Sequence, residues 1–203
     1  MSNQNNRKEK PVITLEDPQY LACKERARGT NVNEQTLLAT DYLNHFNEVV
    51  MLLEMIPDMP ELLEDAHEWT PKSYKDHFKE STIADTELAI EAYDFVPTSY
   101  KELFEDSVAK LDSMVINAID NIEKDIKGGN MDLVRENVSF QSRTVQQAMD
   151  VVSGIINGRQ GIHQDDVDAM LSDQSEADAV ENDQSDIDAL FNDQAAVDAL
   201  FDD

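Results

Sequence analysis

The chain has 203 residues, with 43 Asp and Glu against 16 Lys and Arg and a formal net charge of −27. That length suits one compact domain with an appendage, and so acidic a chain repels both a nucleic-acid duplex and an anionic membrane, so neither is an expected partner. No apolar run approaches the roughly 18 residues of a membrane span, the opening MSNQNNRKEK has no apolar signal-peptide core, and the single Cys23 can form neither an internal disulfide nor a CxxC zinc site. A reduced, cytoplasmic setting is expected.

Residues 1–15 read as a disordered N-terminus. Residues 16–96 read as a helical region in short pieces, punctuated by Pro18, Pro57, Pro60, Pro71 and Pro97. Its best helix is predicted over 33–56, with Leu37, Leu38, Tyr42, Phe46, Val49, Val50, Leu53 and Ile56 on one apolar face. Asp41, His45 and Glu48 share another face and could be read as metal ligands. A di-iron bundle needs a mirrored partner cluster, which is missing, so a solvated polar face is the better reading and no metal is expected. His67 and His77 lie near Trp69 in a polar stretch with no nucleophile at motif spacing. No GxGxxG, Walker loop or HExxH occurs.

Residues 97–158 read as a helical hairpin. In its first arm Tyr100, Leu103, Phe104, Val108, Leu111, Val115, Ile119, Ile122 and Ile126 recur at threes and fours. Thr98 or Ser99 can cap that arm after Pro97. Lys127-Gly128-Gly129-Asn130 supplies the turn, with glycine suited to the left-handed conformation that ends a helix. In the second arm Met131, Val134, Val138, Gln141, Val145, Ala148, Val152 and Ile155 form the matching stripe. Two long arms bury only one seam. A bundle is therefore needed, completed by the N-terminal helices or by a homodimer formed through the hairpin.

After Arg159 there is no Lys or Arg. Residues 163–203 hold 14 of the 43 acids, so this fifth of the chain carries half of the net charge. Such a segment cannot bury enough apolar surface to offset its ordering entropy, and residues 159–203 read as a flexible acidic tail. Gly154, Gly158 and Gly161 mark the expected flexible boundary.

The tail is also periodic. Gln164, Gln174, Gln184 and Gln194 recur every ten residues, as do Asp168, Asp178, Asp188 and Asp198, and Ala169, Ala179, Ala189 and Ala199. In the third copy Ile187, Leu190 and Phe191 stand at i, i+3, i+4, with Asp183 placed to cap and Asp186 in the first turn. The fourth copy repeats this with Val197, Leu200 and Phe201, and the first with Val167, Met170 and Leu171. In the second, Ala177, Val180 and Glu181 make a feeble face. Ten residues at about 100° each fall about 80° short of three turns, so a single long helix would spiral its apolar patches apart. A lone helix of about eight residues is unstable in water. The pattern fits several short capped helices on a string, each folding in a partner's hydrophobic groove, with the tandem copies raising avidity. Calcium is not expected, because no copy carries the glycine of an EF-hand turn or a glutamate at its twelfth position.

Asp183-Gln-Ser-Asp-Ile-Asp-Ala-Leu-Phe191 resembles the N-terminal peptide of the flagellar switch protein FliM, of the form S-Q-x-E-I-D-A-L-L. It is also similar to the C-terminal peptide of the chemotaxis phosphatase CheZ. Both peptides dock as short helices on the phosphorylated CheY receiver. The resemblance implies that Ile187, Leu190 and Phe191 fill a groove, as Val197, Leu200 and Phe201 do in the fourth copy. It also implies that Asp188, and Asp198 after it, faces a basic residue of the receiver, with Asp183 replacing the family's capping Ser.

In the second arm, Phe140-Gln141-Ser142-Arg143-Thr144-Val145-Gln146 is similar to the CheZ active-site segment F-Q-D-L-T-G-Q. The resemblance implies that Gln146 orients the water that attacks the receiver's aspartyl phosphate. Ser142 stands at the family's Asp, which contacts the receiver, and Val145 at its Gly. The receiver would supply its own Mg²⁺, so the chain needs no cofactor of its own. Ser142 and Gln146, at i and i+4, are expected to share an exposed face beside the seam. The same residues also fit an ordinary polar helix surface.

The expected protein is all-α, a helical bundle with a long hairpin followed by a disordered acidic repeat tail. Its expected function is chemotaxis signalling through phosphorylated CheY-like receivers. A divergent CheZ-like phosphatase, and a helical structural or sensor protein with an unrelated tail partner, are the alternatives.

Overall fold

The computed structural model describes residues 11–159. The chain divides into two units after His163, and all the described residues belong to the first. Every regular element among them is helical, which makes the fold all-α.

Helix α1 spans Pro18–Ala27. Asp17 accepts from the amides of Gln19 and Tyr20, and Pro18 follows at the first helical position. The next helix starts later than its hydrophobic pattern predicts. A 3-10 turn covers Thr40–Leu43 and α2 runs Asn44–Met55, so residues 33–39 lie outside it. Asn33 accounts for the delay. Its side chain accepts from the amides of Gln35 and Thr36, its carbonyl from the Leu37 amide, and its own amide donates to the Leu38 carbonyl. These local bonds compete with a helical ladder, and they hold Leu37 at φ +62°. The loop is stitched outward too: Tyr20 donates to the Gln35 carbonyl, and Thr36 Oγ1 to that of Ile156. Leu37, Leu38, Tyr42, Phe46, Val49, Leu53 and Ile56 are nonetheless all buried. Apolar burial was readable where helix geometry was not.

Three short helices follow, α3 (Leu62–Glu68), α4 (Tyr74–Glu80, capped by Ser73) and α5 (Thr86–Ala92). An Arg26–Glu91 pair, with contacts of 2.6 and 2.8 Å, joins α1 to α5.

The hairpin is α6 (Thr98–Gly128) and α7 (Met131–Ile156). Gly129, at φ +78°, ends the first arm, and Asn130 caps the second by accepting from the Leu133 amide. Thr98 does not cap α6 as expected. Its hydroxyl accepts from the Ile13 amide at 2.8 Å while its own amide donates to the Ile13 carbonyl. This clip anchors Ile13, within the stretch expected to be disordered; residues 1–10 lie outside the described residues. The seam buries Phe104, Leu111, Val115, Ile119 and Ile122 against Val134, Val138, Val145, Val152 and Ile155. Helix α2 packs on α7 and α3 on α6, so N-terminal helices of the same chain complete the bundle. Two of the boundary glycines are structural rather than loose. Gly154 is buried inside α7, and Gly158, at φ +69°, ends it so close to Gln35 that an added Cβ would lie 2.9 Å from that side chain. Gly161 lies outside the described residues. No helix among the described residues is long and apolar enough to cross a membrane.

The N-terminal half meets the hairpin through aromatic rings. The buried Tyr42 ring lies 5.4–5.9 Å from those of Phe46, Tyr74, His77 and Phe104. Its hydroxyl donates to the Lys72 carbonyl at 2.8 Å, and Tyr74 OH accepts from the Ala39 amide. Emptying that position leaves a cavity and an unpaired carbonyl. Tyr42→Ala is therefore expected to lower unfolding stability in urea by about 3–5 kcal/mol, with Tyr42→Phe losing only about 1 kcal/mol. Equal losses in the two variants would contradict this packing role.

Candidate functional site

The expected partner-binding residues Val167, Met170, Leu171, Ile187, Asp188, Leu190, Phe191, Val197, Asp198, Leu200 and Phe201 lie outside the described residues. The positions in the hairpin do not. Gln146 is exposed on α7, and its Nε2 donates to Glu54 Oε1 of α2 at 3.1 Å. Nearby, Arg135 of α7 pairs with Asp58 at 2.7 Å. These two contacts lie on either side of Ser142 in sequence, and the chain from Glu54 to Asp58, just past the end of α2, runs antiparallel to α7.

Ser142 consequently corrects its expectation. It is 2% exposed, and its Oγ has no hydrogen-bond partner. The shared exposed face with Gln146 is not formed, because Ser142 is buried in the bundle while Gln146, one turn on, is exposed. Gln146 is thus open to solvent and Ser142 is not.

The partner of Gln146, Glu54, comes from a segment that sequence reasoning did not connect to it. Met51 and Met55, one turn apart on α2 with Glu54 between them in sequence, are 63% and 42% exposed. Their outward position was legible from helical period. The contact of Glu54 with Gln146, 92 residues further along, was not.

Asp41, His45 and Glu48 do not form a solvated face together. His45 is buried, stacked on Trp69 with ring centroids 4.9 Å apart, and its Nε2 bonds the Thr70 carbonyl. Trp69 Nε1 donates back to the His45 carbonyl. Among the described residues no three His, Cys, Asp or Glu side chains stand together as a metal site. His77 is half-buried beside Tyr42, and its Nε2 has no partner. Burial holds both imidazoles below their ordinary range. Burial also pushes the half-buried Asp112 of α6, whose Oδ1 is unpartnered, up to about 6.

Compared with family models, curated proteins and solved structures, the chain matches none. The reading of its site therefore stands on its residues.

The buried titratable groups set opposite pH dependences. The folded state favours neutral His45 and His77, so their contribution is present above the ordinary imidazole range and is lost as pH falls through it. The fold favours a protonated Asp112, so its contribution is present in acid and is lost as pH rises through about 6. Asp112→Asn is expected to stabilise the protein at pH 8 and to leave stability falling only on the acid side. Urea midpoints from pH 5 to 8 check this; a variant that is no more stable than the parent at pH 8 would contradict it.

Proposed function

We propose that this chain is a chemotaxis or motility signalling protein that binds phosphorylated CheY-like receivers through short helices formed by its tail repeats. The observation that carries the reading is the ten-residue repeat itself. Its apolar residues return at the spacing of one helical face beside a capping Asp, most fully in copies three and four. A bare acidic tail needs no such register. Each copy is too short to fold alone, so a groove on the partner supplies the burial that orders it. Leu190 with Phe191, and Leu200 with Phe201, are the groove-filling pairs, and Asp188 and Asp198 are placed to meet a basic residue at the groove's rim. Tandem copies on one chain raise the effective concentration of sites around a bound receiver. The bundle carries this tail and keeps it attached to a folded body.

A second reading is that the body also speeds hydrolysis of the receiver's aspartyl phosphate. The exposed Gln146, with one end of its amide held by Glu54, favours it. The buried Ser142 removes the second contact that the CheZ resemblance would supply.

In the full chain, Leu190→Ala combined with Leu200→Ala is expected to weaken binding to a receiver held active by beryllofluoride by at least about tenfold, because each truncation removes a buried side chain from a docked helix. Calorimetric titration reads this. Unchanged affinity in the double variant would sink groove docking and favour a structural or sensor protein whose tail serves another partner.

A further inference from the structure

We infer that Glu54 of α2 is a positioning residue that fixes the Gln146 amide for water. The inference rests on the second reading above and adds to it a residue from outside the hairpin. A free glutamine turns readily about its terminal torsion, which is broad and roughly two-fold, and so presents its oxygen or its nitrogen almost equally. A carboxylate offers only acceptors. Glu54 Oε1, 3.1 Å from Gln146 Nε2, therefore selects the nitrogen end, and the amide oxygen is the end left for a water. Both side chains are exposed at the α2–α7 edge, within reach of a docked surface. Ser142 lies buried one turn away and cannot take this part.

The step these residues serve is hydrolysis of an acyl phosphate. Water forms a bond from its oxygen to phosphorus, and the bond between phosphorus and the receiver's carboxyl oxygen breaks. The electron pair leaves on the receiver's carboxylate, and both water protons remain on the released dihydrogen phosphate. Gln146 accepts a hydrogen bond from the attacking water and holds it in line, while the receiver's own Mg²⁺ balances the phosphoryl charge. Glu54 touches neither water nor phosphate. It acts through Gln146.

The test is a dephosphorylation time course. The full chain is added to a CheY receiver phosphorylated by acetyl phosphate with Mg²⁺, at several receiver concentrations. Glu54→Ala is expected to lower kcat by at least about fivefold and to leave KM within about twofold, since orientation rather than docking is lost. Glu54→Gln keeps an acceptor oxygen for the Gln146 nitrogen and is expected to restore kcat to within about twofold. A purely structural role for Glu54 would not produce that split or that rescue. Gln146→Ala should lose the acceleration, and Asp120→Asn, exposed elsewhere on α6, should keep it. Full activity in Glu54→Ala beside an inactive Gln146→Ala would overturn the Glu54 assignment and leave the phosphatase reading standing. A parent chain that gives no acceleration at all would overturn that reading, and Glu54's role with it.

Discussion

The fold depends on the packing of one side chain, Tyr42. It sits in the short 3-10 turn before α2, and its ring contacts residues of α2, α4 and α6, while its hydroxyl reaches the connection between α3 and α4. The hairpin alone has one apolar seam and an unsatisfied face. Burial of Tyr42 beside Phe104, with His45 stacked on Trp69 behind it, converts two long antiparallel helices and a string of short ones into one core. Such rings bury large areas each and favour edge-to-face contacts, which is why seven-residue helices, too short to persist alone, are held in place here.

The sequence and the structure agree most where periodicity was long. The hairpin's turn and its two stripes were legible because nine apolar positions in the first arm and seven in the second each agree on one helical face. Around residue 33 the pattern misled, since Leu37 and Leu38 are core residues without being helical; the Asn33 side chain closes a loop there, and local bonds outweigh apolar spacing. Ser142 and His45 failed for a different reason. A helical wheel places a residue on a face, but which face is covered depends on a neighbouring helix far away in sequence. Ser142 is buried while Gln146 one turn on is exposed, and Trp69 covers His45. The Gln146–Glu54 contact was illegible on the same ground, spanning the gap between two helices with no shared pattern.

Charge divides the chain sharply along its sequence. The body keeps all 16 basic residues and uses several in exposed pairs such as Arg26–Glu91, Lys75–Asp94 and Arg135–Asp58. Exposed pairs of this kind contribute little stability each, so the core rests on apolar burial, while the repeats beyond Arg159 carry acids with no Lys or Arg among them. On the proposed function this division is useful. The unbalanced tail stays available to a partner with a basic rim, and the partner's groove supplies the apolar burial each short repeat lacks.

The central claim is that the tail recognises the phosphorylated state of a receiver. Its most direct test is calorimetric titration of a CheY receiver from the same cell with the full chain and with the chain ended at Arg159, each with and without beryllofluoride. The account expects binding by the full chain that strengthens with beryllofluoride and disappears on truncation, while the truncated body keeps its helical circular dichroism. Equal binding by both chains, or none by the full chain in either state, would contradict it.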